Sequence, residues 1–488
     1  MSDQLGLVDS LLQIKKRLGC EMYACGGFVR DLVRGQEAAD LDVVVRNVDG
    51  FTFLAALKKA GKVIEVGKTF GVYVFQPNGV EGSVEIAFPR TERSTGPAHH
   101  NFEITSDPSI TLEEDAKRRD FTCNAMFLDV AFINSSREVA IAHILDFHQG
   151  MEHIKNRLIA AVGNPEDRIT EDPLRMMRAA VLQAKTGFRL EGNTFAAMKR
   201  NADLIKFVSA ERVRDEILKI MSTDKPSRAF KALKRCGVLK YVLPELNACV
   251  GVGQNPENHK YPVFEHCCYV ADAACSLTTY LPVRFAGLFH DLGKAVTREV
   301  KPGGKGEEDV SFHNHEVVSE RLVQKLMGRL RFSNDFTEEV IELVKNHQYK
   351  YDRNWTDRAV RRFIRSADIQ EKDLEDLDVF PLFILRQADR IGNGTPAKVR
   401  MPITPKQKDF QARITEIFKA SSAHSTKDLA VNGNVLMSEL GLAPSPTIGR
   451  IMQALFELVE EDPSANNKET LLARARGLLA EEKGEHSE

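Results

Sequence analysis

The sequence predicts an α+β protein: a small mixed sheet with helices over residues 1–150, then helices alone to the end of the chain. Two observations carry that reading. Strand-like apolar runs occur at Asp40-Leu41-Asp42-Val43-Val44-Val45, Val72-Tyr73-Val74-Phe75 and Val84-Glu85-Ile86-Ala87, with helical patterns between them. From Met151 onward these signals fade and helical periodicity takes over. The 488 residues, 43% hydrophobic and 28% charged, suit about three folded domains rather than a disordered chain.

In chain order, Met1 to Leu18 reads as an amphipathic helix without the layout of a signal peptide. Cys25-Gly26-Gly27-Phe28-Val29-Arg30-Asp31 places two glycines ahead of a helical pattern. The stretch from Phe88 to Ile110, rich in Pro, Gly, Ser, Thr and His, predicts a long functional loop. Residues 151–240 hold 19 Lys+Arg against 11 Asp+Glu, the best candidate for a polyanion-binding surface in a chain whose net charge is only −2. A Gly- and Asn-rich break at 250–256 precedes a second helical block, and prolines 402 and 405 precede a helical tail. The expected domains are therefore 1–150, 151–250, 257–395 and 400–488. No apolar run approaches the ~18 residues of a membrane helix. The eight cysteines contain no CxxC pair, which argues against a disulfide framework and for the reducing cytoplasm.

Chemistry concentrates in four segments of the first half. Gly26-Gly27 would let backbone N–H groups approach a triphosphate, with a helix N-terminus behind them. Asp40 and Asp42, on a strand, would point to one face; carboxylates so close repel unless a cation lies between them. That pair implies a hard divalent ion, Mg²⁺, with Glu85 as a third carboxylate from a neighbouring strand. Two such ions would assist in-line displacement at phosphorus. Arg118-Arg119-Asp120-Phe121-Thr122-Cys123-Asn124 combines phosphate- and ribose-binding groups. Glu171-Asp172-Pro173-Leu174-Arg175-Met176-Met177-Arg178 puts Pro in a first helical turn, with Asp172 and Arg175 able to reach one side of a ligand. Each segment alone also has a plain structural reading as a turn, a salt-bridged helix start or a cap.

Together, in this order and spacing, the four segments resemble the class II nucleotidyltransferases, the bacterial CCA-adding enzymes and poly(A) polymerases. Ser209-Ala210-Glu211-Arg212-Val213, continuing to Glu216 and Lys219, extends the resemblance over about residues 20–245. It implies a nucleotidyltransferase head with Asp40, Asp42 and Glu85 as catalytic carboxylates. It implies nucleotide contacts from Gly26, Gly27, Arg30, Arg119, Asp120, Asn124, Asp172, Arg175 and Arg178. Asp172 and Arg175 would read the base: a carboxylate accepts from the exocyclic amino group shared by cytosine and adenine, and a guanidinium donates to the adjacent ring nitrogen. One departure is Val181, where relatives commonly have Arg.

The second block carries His290-Asp291-Leu292-Gly293-Lys294 at the end of an apolar helix pattern. With His266 and Asp389 it supplies imidazole and carboxylate ligands for a transition metal, and His315 and His347 extend the set toward a second ion. The order His266, His290, Asp291, Asp389 resembles the HD phosphohydrolases, a domain that one branch of CCA-adding enzymes carries after its RNA-binding helices; the tail from Asp428 to Asn467 is similar to that branch too. The expected function is template-independent addition or repair of the 3′-terminal CCA of tRNA from CTP and ATP, with Mg²⁺ in the head, a divalent metal of unassigned identity in the HD domain and no membrane partner. The alternatives are an enzyme adding only A, a poly(A) polymerase, or an HD phosphohydrolase with an RNA-binding head. Against the poly(A) polymerases, which tend to end in a basic tail, residues 401–488 hold 10 Lys+Arg and 13 Asp+Glu. The segment Arg90 to His100 is expected to be a flexible loop that remodels the pocket between C and A. The sequence assigns no oligomeric state.

Overall fold

The computed structural model describes residues 2–37, 40–66, 72–94, 102–255, 259–302, 308–420 and 426–485. They form two units: Met1–Val252 with Lys325–Ser333, and Gly253–Gln324 with Asn334–Glu488.

The first unit is built on a seven-stranded mixed sheet. Its strands are β1 (Glu21–Cys25), β2 (Asp42–Arg46), β3 (Gly61–Val66), β4 (Val72–Pro77), β5 (Val84–Ala87), β8 (Met126–Asp129) and β9 (Ile144–Asp146). Their order is β3-β4-β5-β2-β1-β8-β9. Only β2 and β5 run parallel; every other neighbouring pair is antiparallel. The β-branched Val43, Val44 and Val45 are all buried, as a central strand covered on both faces requires. The carboxylate-bearing ends of β2 and β5 are thereby fixed side by side.

Two expectations change here. The 88–110 stretch is not a loop throughout: β6 (Arg90–Ser94) and β7 (Phe102–Ser106) pair as an antiparallel ribbon from Arg90↔Ser106 to Ser94↔Phe102. Phe102, Ile104, Thr91 and Thr105 supply β-prone residues that Gly96, Pro97 and the histidines had masked in composition. Residues 95–100, the tip of the expected flexible loop, lie outside the described residues. The second change is that β2 begins at Asp42, so Asp40 precedes the strand instead of sharing its pleat.

One buried carboxylate organises the segment after the ribbon. Helix Leu112–Lys117 starts with a reciprocal cap between Thr111 and Glu114, which aims Asp115 inward. Asp115 is fully buried and accepts from Arg118 Nε at 2.8 Å, from Arg119 Nε and Nη2 at 3.1 and 3.0 Å, and from the Arg90 N–H at 3.3 Å. Burial by itself would raise its carboxyl, but the Arg119 and Arg118 charges hold it below the ordinary carboxylate range.

Beyond the sheet the first unit is helical. The excess Lys and Arg expected to form a polyanion surface stand partly at helix C-termini: Lys199 and Arg200, Lys219, Lys234 and Arg235 all occupy last turns, where cations complement the helix dipole.

In the second unit, helix Val263–Leu277 packs against Pro381–Gly392 and Leu281–Phe289. The approach is so close at Gly392 that a Cβ there would stand 2.5 Å from the Val270 backbone nitrogen. A separate cluster around Leu436, Leu455 and Leu471 holds the last three helices together.

Two outcomes are expected from this packing. Gly392→Ala forces the helix pair apart and should cost about 1–3 kcal/mol. Urea unfolding followed by fluorescence of Trp355, the single tryptophan and a member of the second unit, reads that loss directly. Asp115 contributes stability that is complete above its unfolded pKa of about 3.9 and is lost as pH falls through its lower folded value. Asp115→Asn should therefore destabilise the head by roughly 3–5 kcal/mol at pH 7 and flatten part of its acid transition. Amide hydrogen exchange in β1 and β2 across pH measures both effects; a variant matching the original protein at every pH would contradict the assignment.

Candidate functional site

Gly26 closes β1 and opens helix Gly27–Arg34 with φ 66° and ψ −131°, a conformation that L side chains rarely adopt. A Cβ at Gly26 would also meet Asp42 Oδ2 at 3.2 Å, so the backbone turn and the carboxylate share one small volume. Asp42 stands directly opposite Glu85 in the parallel β2–β5 register. Burial raises the Asp42 carboxyl, Glu85 and then Asp40 add to that rise, and the Arg119 charge opposes it. Repulsion of this kind is what a bound cation relieves. Asp40 and Glu85 are exposed at the edge of the same place.

Arg119 extends from Asp115 across this floor. Its Nη1 donates to the Asn124 carbonyl at 3.1 Å, its guanidinium lies 4.7 Å from the Phe127 ring centroid, and its Nη1 is 3.9 Å from the position a Gly26 Cβ would take. Arg30 is buried and makes a bidentate pair with Asp31 at 3.0 and 2.6 Å; its Nη1 donates to Asn124 Oδ1 at 2.9 Å. Arg30 thus fixes Asn124 and braces the helix that begins at Gly27. Asp120 Oδ1 accepts from the Phe121 N–H at 2.8 Å, and its Oδ2 lies 4.0 Å from Arg178 Nη1.

The expected base-reading pair is arranged differently from the sequence picture. Pro173 does not sit inside a helix: Pro165–Glu171 ends at Asp172, and the next helix starts at Arg175. Asp172 spans the break, Oδ1 accepting from the Leu174 N–H at 3.2 Å and Oδ2 from Arg212 Nη2 at 3.1 Å. Arg175 is buried; it pairs with Glu171 and donates to the Arg168 carbonyl at 2.8 Å and the Arg118 carbonyl at 3.1 Å. Arg175 Nε and Arg212 Nη1 are both buried without a hydrogen-bond partner. Such orphaned donors beside the half-buried Asp172 carboxylate suit a ligand with acceptor atoms. Arg212 and Asp115 are absent from the sequence-based site. Arg212 lies within Ser209–Val213, and only its ion pair to Asp172, 40 residues away, singles it out.

The second site gathers every residue expected of it. Among the described residues, two groups of three ligand atoms lie within 4.8 Å of one another: His266, His290 and Asp389, and Asp291, His315 and His347. Asp291 links them. Its Oδ2 is 3.4 Å from His266 Nε2 and 3.2 Å from His290 Nε2, while its Oδ1 is 3.3 Å from His315 Nε2 and 3.7 Å from His347 Nε2. Asp389 Oδ1 is 3.2 Å from His266 Nε2. Three rings are aimed by main-chain carbonyls: Nδ1 of His290, His315 and His347 meets Gly287, Phe312 and Val344 oxygens at 3.0, 2.8 and 2.5 Å. Donation from each Nδ1 leaves Nε2 as a lone-pair ligand. His315 Nε2, His347 Nε2 and Asp291 Oδ1 are buried without a hydrogen-bond partner, as a metal-binding donor set would be. Lys294, also missed as a site residue, donates to Asp291 Oδ2 at 2.7 Å and to Gln254 Oε1 at 2.8 Å. A cavity of about 600 Å³ opens beside these residues.

Comparisons with known proteins show which families the segments that carry these residues match. Residues 22–160 match the poly A polymerase head domain, 187–250 a probable RNA and SrmB-binding site of polymerase A, 263–391 the HD domain and 398–475 a putative tRNA nucleotidyltransferase domain 2. The multifunctional CCA protein of Vibrio parahaemolyticus is 35% identical over 333 residues, 67% of this chain and 75% of that protein. That of Burkholderia ambifaria is 35% identical over 331 residues, 67% and 74% of the two chains. The Bacillus stearothermophilus CCA-adding enzyme in complex with CTP shares the fold, with a TM-score of 0.67 and 22% identity over 99% of this chain and 98% of that one. Both head and HD families use divalent metals. The chain belongs to the multifunctional CCA protein family.

Proposed function

We propose that this protein is a template-independent tRNA nucleotidyltransferase of the cytoplasm that adds or repairs the 3′-terminal CCA using CTP and ATP. The observation that carries the reading is the parallel register of Asp42 and Glu85 beside the left-handed turn at Gly26. That arrangement sets carboxylates against a helix N-terminus, where a triphosphate would be held. Asp42, with Asp40 and Glu85, would hold Mg²⁺, which when bound neutralises charge on the phosphates. The tRNA 3′-hydroxyl releases its proton to solvent as its oxygen bonds to the α-phosphorus, the bond from that phosphorus to the bridging oxygen breaks, and pyrophosphate leaves with that oxygen. Arg119, Asp120 and Asn124 line the ribose side. Asp172 and Arg175 select the base, and Arg212 holds the Asp172 carboxylate in position.

A second activity has its own supporting observation, the two ligand groups joined by Asp291. His266, His290, Asp291 and Asp389, with His315 and His347, would hold one or two divalent ions that polarise a phosphate ester toward water. The HD unit then hydrolyses phosphate esters, water supplying the new oxygen on phosphorus and the leaving alcohol taking a proton.

Incubating the protein with tRNA transcripts ending at N, NC and NCC, each with CTP or ATP, tests the main reading. It requires C on the first two and A on the third; failure to add C at all would leave an A-adding enzyme. Asp42→Ala should abolish addition, by at least about a hundredfold given what electrostatic stabilisation contributes, while tRNA binding persists in a filter assay. Arg175→Ala should narrow the preference for CTP and ATP over UTP and GTP as well as slow turnover. Equal slowing on all four nucleotides would make Arg175 a purely structural strut between Glu171 and the Arg118 carbonyl.

A further inference from the structure

Away from both sites, the first unit presents an aromatic ring to solvent on a firmly held turn. Ile205 and Val208 are buried and anchor the short helix Ala202–Phe207, while Phe207 between them is 72% exposed. The Val208 N–H donates to the Ile205 carbonyl at 3.1 Å, which closes the backbone around Phe207. The ring is therefore displayed by a rigid scaffold and is not the end of a loose segment.

The adjoining helix, Leu239–Val242, packs on this turn and buries Leu239 and Val242. Its Tyr241 carries two cations: Lys206 Nζ lies 4.4 Å and Lys240 Nζ 4.7 Å from the centre of the ring. Two ammonium groups gathered at one ring repel each other, and attraction to the ring offsets only part of that cost. Among the described residues neither lysine pairs with a carboxylate, and Asp203, the one acid of the turn, joins neither. Other cations of the same stretch are neutralised on the protein. Arg200 pairs with Glu166, Arg212 with Asp172, Arg214 with Asp215 and Lys219 with Glu216. Lys206 and Lys240 stand apart from that pattern.

A single exposed phenylalanine is ordinary, and so is a single surface lysine. A rigid exposed ring beside two cations that lack an acid is a narrower combination. It offers the two things a nucleic acid strand needs at once, a π-face for a base and positive charge for the phosphates on either side. An acidic protein would answer the lysines but has no flat, uncharged group with an equal claim on Phe207.

We propose that Phe207 is a stacking platform for an unpaired base of the RNA substrate, with neighbouring phosphates held by Lys206 and Lys240. The proposal rests on the tRNA reading above for the identity of that RNA. None of the three residues belongs to the nucleotide site or to the HD ligands. The seat therefore acts on how the RNA is held and takes no part in the chemical step.

The test uses the full chain, without nucleotides, in a filter assay over a series of salt concentrations. The probes are a tRNA transcript ending at N and a blunt RNA duplex of equal length, which has no unpaired base. Phe207→Ala should weaken tRNA binding by at least about fivefold, the scale of one base stacked on an aromatic ring, and change duplex binding by less than about twofold. Phe207→Trp should keep the tRNA affinity, whereas Phe207→Leu, apolar but without a π-face, should lose it. Lys206→Ala combined with Lys240→Ala should lower the slope of log affinity against log salt for tRNA by about 1.5, the release expected from two phosphate contacts. Circular dichroism checks that each variant is folded. Unchanged tRNA binding in Phe207→Ala, full binding in Phe207→Leu, or equal loss on tRNA and duplex overturns the stacking seat. An unchanged salt slope in the double lysine variant overturns the phosphate contacts. A protein that adds C and A while its tRNA affinity ignores Phe207 keeps the nucleotidyltransferase reading and loses only the seat. One whose tRNA affinity follows Phe207 but which adds neither nucleotide keeps the seat and loses that reading.

Discussion

The head depends on the burial of one negative charge. Asp115 lies where water cannot screen it, so its partners must be cations in fixed positions, and Arg118 and Arg119 are those cations. Everything nearby inherits their placement. Arg119, anchored at one end, lies over Phe127 and reaches toward Gly26 and Asp42. The Arg118 carbonyl is presented to Arg175, which ties the segment after Asp115 to the helix that begins at Arg175. A single buried side chain thus sets the spacing between the groups proposed to meet the nucleotide.

How much of this was legible in the sequence follows from what local pattern encodes. Asp42, Glu85 and the Gly26 turn could be read because strand alternation and a Gly-Gly pair are short-range signals. The HD residues could be read for a related reason: a His-Asp doublet at the end of an apolar helix is a local pattern, although its partners His266, His315, His347 and Asp389 lie as far as 99 residues from His290. Arg212 and Asp115 could not be read as site residues. One is a basic residue on an amphipathic helix and the other an acid in a first helical turn, and both roles are ordinary until the fold brings Asp172 and Arg119 alongside. The β6–β7 ribbon is hidden by composition, since the glycine, proline and histidines between the two paired stretches in sequence outweigh the strand signal of Thr91, Phe102, Ile104 and Thr105. Asp40 reads as part of a strand because the apolar run behind it is continuous, whereas pairing with β1 begins at Cys25↔Asp42.

The two sites differ in how they hold their ligands in place. In the first unit, charged side chains orient one another: Arg30 fixes Asn124, Arg212 fixes Asp172, and Asp115 fixes Arg119. In the HD unit, main-chain carbonyls orient three of the four imidazoles. A carbonyl within a folded helix or strand end moves only with its backbone, so that arrangement is the stiffer of the two. Ion-paired side chains can exchange partners, which suits a pocket that must accept cytosine and then adenine.

Arg168 and Arg175 grip the main-chain carbonyls of Lys117 and Arg118, not their side chains. Peptide oxygens are the same whatever residue carries them. The seam between these segments is therefore indifferent to the side chain at Lys117, whose ammonium points instead to Glu113 in an exposed pair. That position is free to drift in charge and size over evolutionary time, or to be recruited for another contact, while the join beneath it stays intact.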